Sequence, residues 1–156
     1  MSFGGVYPAD KIPPHKKGHV SYIINSDPKV KPGEHWLAYY QDDNGCEFFD
    51  SYGKEPACYP YIYNWLTKAP FPVTNLKVRI QGPKAYCGAY VFFYLSERPF
   101  RPSMHDLFFE TPSHHFNYAS RADMALYTPQ MIKDYLGPND TYVFQYLFRN
   151  VKDFVQ

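Results

Sequence analysis

Hydrophobic positions along this chain change period several times, and each change marks an element. His19 to Asn25 predicts a strand, and Glu34 to Gln41 predicts another that is apolar on both faces and therefore central in a sheet. Asp42-Asp43-Asn44-Gly45 interrupts the pattern with turn-forming residues, and Cys46 to Asp50 resumes it as a strand. Together they predict a hairpin. Leu76 to Ile80 alternates apolar and basic residues, as a half-buried strand does. Helices are predicted over Tyr59 to Lys68, where Tyr63, Trp65 and Leu66 can pack, and over Cys87 to Arg98, which contains the apolar run Ala89 to Leu95. A short helix is predicted at Met104 to Phe109. Two more, Pro129 to Leu136 and Asp140 to Phe154, are separated by Gly137-Pro138. Residues 1 to 18, with Gly4-Gly5, Pro8, Pro13-Pro14 and Gly18, read as loop. The sum is an α+β chain, one domain over residues 1–156, with a mixed central sheet flanked by helices.

The hairpin carries a geometric consequence. If Asp42 to Gly45 form its loop, Gln41 faces Cys46 and Leu37 faces Asp50. Side chains two apart share a face, so His35 and Asp50 become diagonal neighbours roughly 7–8 Å apart at the backbone. A two-residue Asn44-Gly45 loop keeps them on one face but a pair further apart, and a three-residue loop separates the faces.

Two further polar residues give that pairing a chemical use. Gln81 and Cys87 lie in IQGPKAYCGAYVFFYL, and Cys87-Gly88 opens the apolar helix. A cysteine is a nucleophile only as its thiolate, which a helix start favours. His35 can take the thiol proton, Asp50 can orient the imidazole, and Gln81 can donate to an oxyanion. Each residue alone has a plainer reading. Cys87 could be a small core hydrophobe, His35 a hydrogen-bonded strand residue, Asp50 a turn former before Ser51-Tyr52-Gly53, and Gln81 a strand end. The order His, Asp, Gln, Cys is restrictive enough to favour the joint reading, which is acyl transfer. Cys46 and Cys58 keep the plain one.

Composition narrows the classes further. A net charge of +1 gives no global field for nucleic acid or a membrane surface. The longest apolar run is far too short to cross a bilayer. Three cysteines, with no leader-like segment before them, suggest free thiols in a reducing compartment rather than secretion. Sixteen Tyr, 13 Phe and 2 Trp require an aromatic core, and 15 Pro imply short elements between fixed turns. His105 and His114-His115 lack metal-ligand spacing and read as loop histidines, so neither metal nor cofactor is expected. The mildly basic Pro13-Pro14-His15-Lys16-Lys17 reads as a solvated loop.

Three blocks of sequence resemble the adenain family, the maturation proteases of adenoviruses and their relatives in Polinton-type elements. They are GEHWLAYY around His35, EFFDSYG around Asp50 and QGPKAYCG from Gln81 to Gly88; the early GVYPADKIP, Gly5 to Pro13, is similar too. The resemblance covers roughly residues 5 to 110 and stops before Arg121. It implies a cysteine protease fold shared with ubiquitin-like-protein proteases. In it Cys87 is the nucleophile, His35 the base, Asp50 the orienting acid, and Gln81 the oxyanion donor together with the Cys87 amide. It also implies Gly before the scissile bond, with Trp36 beside His35 and Gly88 beside Cys87 as the substrate-binding positions: the bulky Trp36 indole either narrows the approach to the sulfur or, since adjacent strand residues point to opposite faces, belongs to the core. Two departures stand out. Adenovirus enzymes carry Glu where Asp50 stands, and their Gln-to-Cys loop is one residue longer; both features here are closer to SUMO- and ubiquitin-deconjugating proteases.

The implied function is an endopeptidase cutting viral or mobile-element structural precursors during particle maturation, in the host nucleus or cytoplasm and in the virion. Its implied partners are the precursor proteins, with room for a peptide or DNA activator, and it is expected to be a monomer. The alternatives are a deconjugating isopeptidase and a non-catalytic capsid-associated module. Adenovirus proteases are stimulated by a peptide disulfide-linked to a Cys between the acid and the Gln. The matching stretch, Trp65 to Asn75, has no Cys, and Cys58 lies nearer the acid. Activity without such a link is therefore expected.

Overall fold

A computed structural model describes residues 2–31, 35–80 and 87–110. The chain divides into two compact units, residues 1–80 and 81–156.

The first unit is organised by the hairpin. Strand β3 (Trp36–Asp42) pairs antiparallel with β4 (Gly45–Phe49), with Gln41 opposite Cys46 and Ala38 opposite Phe49. The pairing extends one step further than the sequence suggests, to Asp42 opposite Gly45, so the loop shrinks to Asp43-Asn44. The Asp42 carboxylate closes it by accepting the Asn44 and Gly45 amides at 2.8 and 3.1 Å. The register on which the His35–Asp50 geometry depends is unchanged. On the other side of β3, β2 (Val20–Asn25) runs antiparallel, from Val20 opposite Gln41 to Asn25 opposite Trp36. Strand β1 (Ser2–Tyr7) pairs parallel with β2, and β5 (Val73–Asn75) parallel with β4. The five-stranded sheet is thus mixed, in the order β1-β2-β3-β4-β5, and with its helices the protein is α+β.

Two predicted segments differ in kind. Residues 1–18 contain a strand where loop was expected. Long-range pairing to β2 overrides the Gly-Gly signal, and Gly5, at φ +122°, absorbs the register shift between Phe3 and Val6. Residues 76–80 are not a strand. β5 ends at Asn75, Lys77 adopts φ +61°, and the alternation reflects two buried anchors, Leu76 and Ile80, around exposed Lys77, Val78 and Arg79.

One face of the sheet presents Val20, Tyr22, Ile24, Leu37, Tyr39, Cys46 and Phe48 to Ile62 and Leu66 of α1 (Pro60–Leu66). Each such side chain contributes about 1.5–3 kcal/mol on burial. The predicted helix over Tyr59 to Lys68 is trimmed at both ends: Tyr59 is its N-cap, with Pro60 at the first helical position, and Thr67 its C-cap. Trp65 packs edge-on against Tyr39, with ring centres 4.8 Å apart, and stacks on His15 at 3.8 Å. Its indole N–H donates to the Pro13 carbonyl, and the His15 Nε2–H donates to the Trp65 carbonyl, both at 2.8 Å. Burial lowers the His15 pKa, and that backbone bond acts against it. Pro13 to Lys17 is therefore a strap tied to α1, with only Pro14 and the two lysines exposed. Deep in the core, the Tyr39 hydroxyl donates to the Gln41 side-chain oxygen at 2.6 Å and lies 3.0 Å from the Cys46 sulfur.

In the second unit α2 (Cys87–Glu97) continues as a 3₁₀ turn, Arg98–Phe100. Tyr90 to Leu95 are all buried, as expected of a helix apolar around its whole circumference. A π-helical turn, Asp106–Glu110, overlaps the short helix predicted at Met104 to Phe109, and Phe108 packs against Phe93 and Tyr94. No described helix is long and apolar enough to cross a membrane. The helices predicted in the tail, 129–136 and 140–154, lie outside the described residues, as do His114 and His115.

Candidate active site

His35 immediately precedes β3 and Asp50 immediately follows β4. Continuing the ladder past Ala38 and Phe49 sets Leu37 opposite Asp50, which leaves His35 as the diagonal neighbour on the same face. The side chains meet there: His35 Nε2 lies 2.7 Å from Asp50 Oδ1. Both are buried, at 7% and 1% exposure. The His35 carbonyl accepts the Ser26 amide at 2.8 Å, fixing the backbone from which the imidazole projects.

A buried carboxylate is costly unless its lone pairs are satisfied. Asp50 is well supplied. Oδ1 accepts from His35 and from the Tyr52 amide at 2.8 Å, and Oδ2 accepts the Tyr59 hydroxyl at 2.5 Å. Burial acts to push the Asp50 pKa up. The hydrogen bond and charge of His35, with the Tyr59 and Tyr52 bonds, outweigh it and hold the carboxyl below its ordinary value. An ionised carboxylate only accepts, so Nε2 of His35 carries a proton. In the neutral ring, Nδ1 is then the basic nitrogen.

The turn after β4 completes the support. The Gly53 amide donates to the Asp50 carbonyl at 2.8 Å, and Gly53 sits at φ +71°. A Cβ there would come within 2.3 Å of the Val78 carbonyl carbon, so the last residue of DSYG is restricted to glycine by both conformation and space. The Ile80 amide donates to the Ser51 carbonyl at 2.9 Å, tying residues 78–80 beside this turn. The turn also stacks the Tyr52 ring on the His35 imidazole, with centres 4.3 Å apart and planes 11° from parallel. The Arg79 guanidinium lies 4.5 Å from the centre of the Tyr52 ring and the Lys54 ammonium 5.8 Å.

Cys87 belongs to the second unit. It is the first residue of α2 and is 5% exposed, and Gly88 follows it, buried. The opening turn of a helix has backbone amides without intrahelical acceptors and a positive dipole end. Gln81 lies outside the described residues. Trp36, proposed from the sequence to line a substrate path, is 1% exposed and projects from the opposite face of β3 to Leu37 and Tyr39. Cys46 is buried and Cys58 exposed.

Sequence reasoning missed Tyr59 and Tyr52. Tyr52 stood inside the EFFDSYG block but signalled only a turn. Tyr59 carried no signal, because its approach to Asp50 depends on the path of residues 51–58 and not on any periodicity. Elsewhere in the first unit, an open groove of about 420 Å³ runs past Tyr63, Leu66, Phe71, Pro72 and Val73, and it is mostly apolar.

Among the solved structures that resemble the chain are two of ASFV pS273R protease. The selenomethionine form is 22% identical, with a TM-score of 0.40, over 88% of this chain and 44% of the other. The second is 20% identical, with a TM-score of 0.41, over 88% and 43%. The chain spans less than half the length of these matched proteins. No protein-family model and no curated protein matches it.

Proposed function

We propose that the protein is a cysteine endopeptidase acting through Cys87, His35, Asp50 and Gln81. The observation that carries the reading is the buried His35–Asp50 hydrogen bond at 2.7 Å, formed around a carboxylate whose two oxygens are both held by donors. A buried histidine fixed to an ionised acid through one nitrogen leaves the other as a base, the arrangement an activated nucleophile requires.

In the proposed reaction the Cys87 thiol gives its proton to His35 Nδ1, and the sulfur attacks the scissile carbonyl carbon. The carbonyl electron pair moves onto oxygen, and the Gln81 side chain with the Cys87 amide receives that charge. The intermediate collapses, the C–N bond breaks, and the His35 imidazolium returns its proton to the departing amine. A thioester remains. Water then attacks it with His35 as base, the acid product leaves, and the thiol is restored. Asp50 stays ionised throughout and stabilises the imidazolium.

The proposed substrates are viral or mobile-element structural precursors, cut after glycine, with the enzyme acting as a monomer in the host cell and the virion. The blocks around His35, Asp50 and Cys87 support this by their similarity to adenain. The test is co-expression with structural proteins of the same element and sequencing of the product ends. New ends after Gly that disappear in Cys87→Ala support the reading. Identical ends in both forms refute it.

A further inference from the structure

We propose that Tyr59 is a positioning residue for the His35–Asp50 pair, holding the Asp50 carboxylate in the orientation that presents His35; this rests on the peptidase reading above. The Tyr59 hydroxyl donates to Asp50 Oδ2 at 2.5 Å, a short charge-assisted bond. The terminal torsion of an aspartate is soft, so a carboxylate held at one oxygen can swing. Here the other oxygen is held by His35 and the Tyr52 amide, and Tyr59 fixes the second point. The donor itself is well placed. Tyr59 caps α1, its amide donates to the Pro56 carbonyl, its carbonyl accepts the Tyr63 amide at 2.8 Å, and its ring packs on Phe48 with centres 6.0 Å apart. Rigidity thus passes from the helix start to the carboxylate and on to the imidazole. Among the described residues, the ionisable groups around this network are His35, Asp50 and Tyr52, Cys58 adjoining Tyr59 in the chain, and Arg79 and Lys54 over the Tyr52 ring. Tyr59→Phe changes none of these and removes one oxygen.

The test compares Tyr59→Phe, Asp50→Asn, the double variant and Tyr63→Phe, an exposed control on the same helix, by steady-state kinetics against pH and by low-field proton NMR. In Tyr59→Phe, kcat should fall about tenfold with KM within about twofold, as for loss of one hydrogen bond to a charged group. The acid limb should move to higher pH, because the hydroxyl favours the ionised carboxyl. The loss should be clearly smaller in the Asp50→Asn background, where the hydroxyl keeps only a neutral bond, and the His35 Nε2–H resonance should shift. A wild-type profile in Tyr59→Phe overturns the proposal. So does an equal loss in both backgrounds, which would mark a packing role. Should Tyr59→Phe not fold, the wild-type hydroxyl resonance decides: low-field and lost in Asp50→Asn supports the proposal, absent in wild type overturns it. If Cys87→Ala retains turnover, the peptidase reading is what falls, and the His35 resonance still judges Tyr59.

Discussion

Replacing Asp50 by Asn removes a charge and leaves the shape, so its cost can be worked from the contacts. Oδ1 accepts two donors, from His35 and the Tyr52 amide, and Oδ2 accepts one from Tyr59. The amide oxygen of Asn must occupy the Oδ1 position. The opposite flip would aim its NH₂ at the His35 and Tyr52 N–H groups together. In the favourable flip the NH₂ faces Tyr59, whose hydroxyl turns to become the acceptor. The His35 tautomer survives, and each of the three bonds drops from charge-assisted to neutral strength, a loss of about 1 kcal/mol apiece. The total is about 2–3 kcal/mol, or a fall of about 5–10 °C in Tm for a chain of this size. The pH dependence has a fixed sign. A carboxyl whose folded pKa lies below its ordinary value of 3.8 contributes stability that is fully present above that value and is lost as pH falls through the folded pKa. The gap in Tm between wild type and Asp50→Asn should therefore be full at pH 7 and shrink below about pH 4. Calorimetry across pH 2.5–7 measures it. A variant as stable as wild type at pH 7, or a gap that persists undiminished at the acid end, would refute the reasoning.

Cys87→Ala should abolish peptide hydrolysis while the melting temperature stays within a few degrees, and His35→Ala should lower kcat by about 10²–10⁴-fold, more than Asp50→Asn does. Turnover retained in either alanine variant would remove that residue from the mechanism. Gly53→Ala should lose at least about 1 kcal/mol to its left-handed backbone alone, and more to the Cβ directed at Val78, read as a drop in the urea midpoint. An unchanged midpoint would mean the turn after Asp50 relaxes freely. Cys58→Ser should keep full activity in reducing buffer without any added peptide. A wild type that stays silent until a cysteine-bearing peptide is added, with Cys58→Ser beyond its rescue, would contradict this.

The hairpin shows why some of this was legible in the sequence. Asp42 to Gly45 punctuate two apolar runs, and once the register is fixed, His35 and Asp50 meet by counting alone. α2 was legible because seven successive apolar residues come directly after Cys87-Gly88. β1 was not, because its partner is a parallel strand beyond an irregular segment, and its glycines read locally as loop. The stretch from Leu76 to Ile80 misled for a related reason. Two buried anchors around exposed residues mimic a strand's alternation although the backbone turns at Lys77. The donors on Asp50 lie in a third class. Tyr52 and Tyr59 reach it through a turn and a 3₁₀ helix, Pro56–Cys58, whose paths are set by tertiary packing.

The central claim, that His35 and Asp50 activate the Cys87 thiol, is tested most directly by where an electrophile attaches. Cys58 is exposed and Cys87 is 5% exposed, so accessibility alone directs labelling to Cys58. Activation of the thiol by a base directs it to Cys87. Brief treatment with a Gly-Gly peptide vinyl sulfone, with intact mass and peptide mapping as the readout, should show one adduct on Cys87 in the wild type and none there in His35→Ala. Labelling confined to Cys58, or a Cys87 adduct that forms equally fast without His35, would contradict the account.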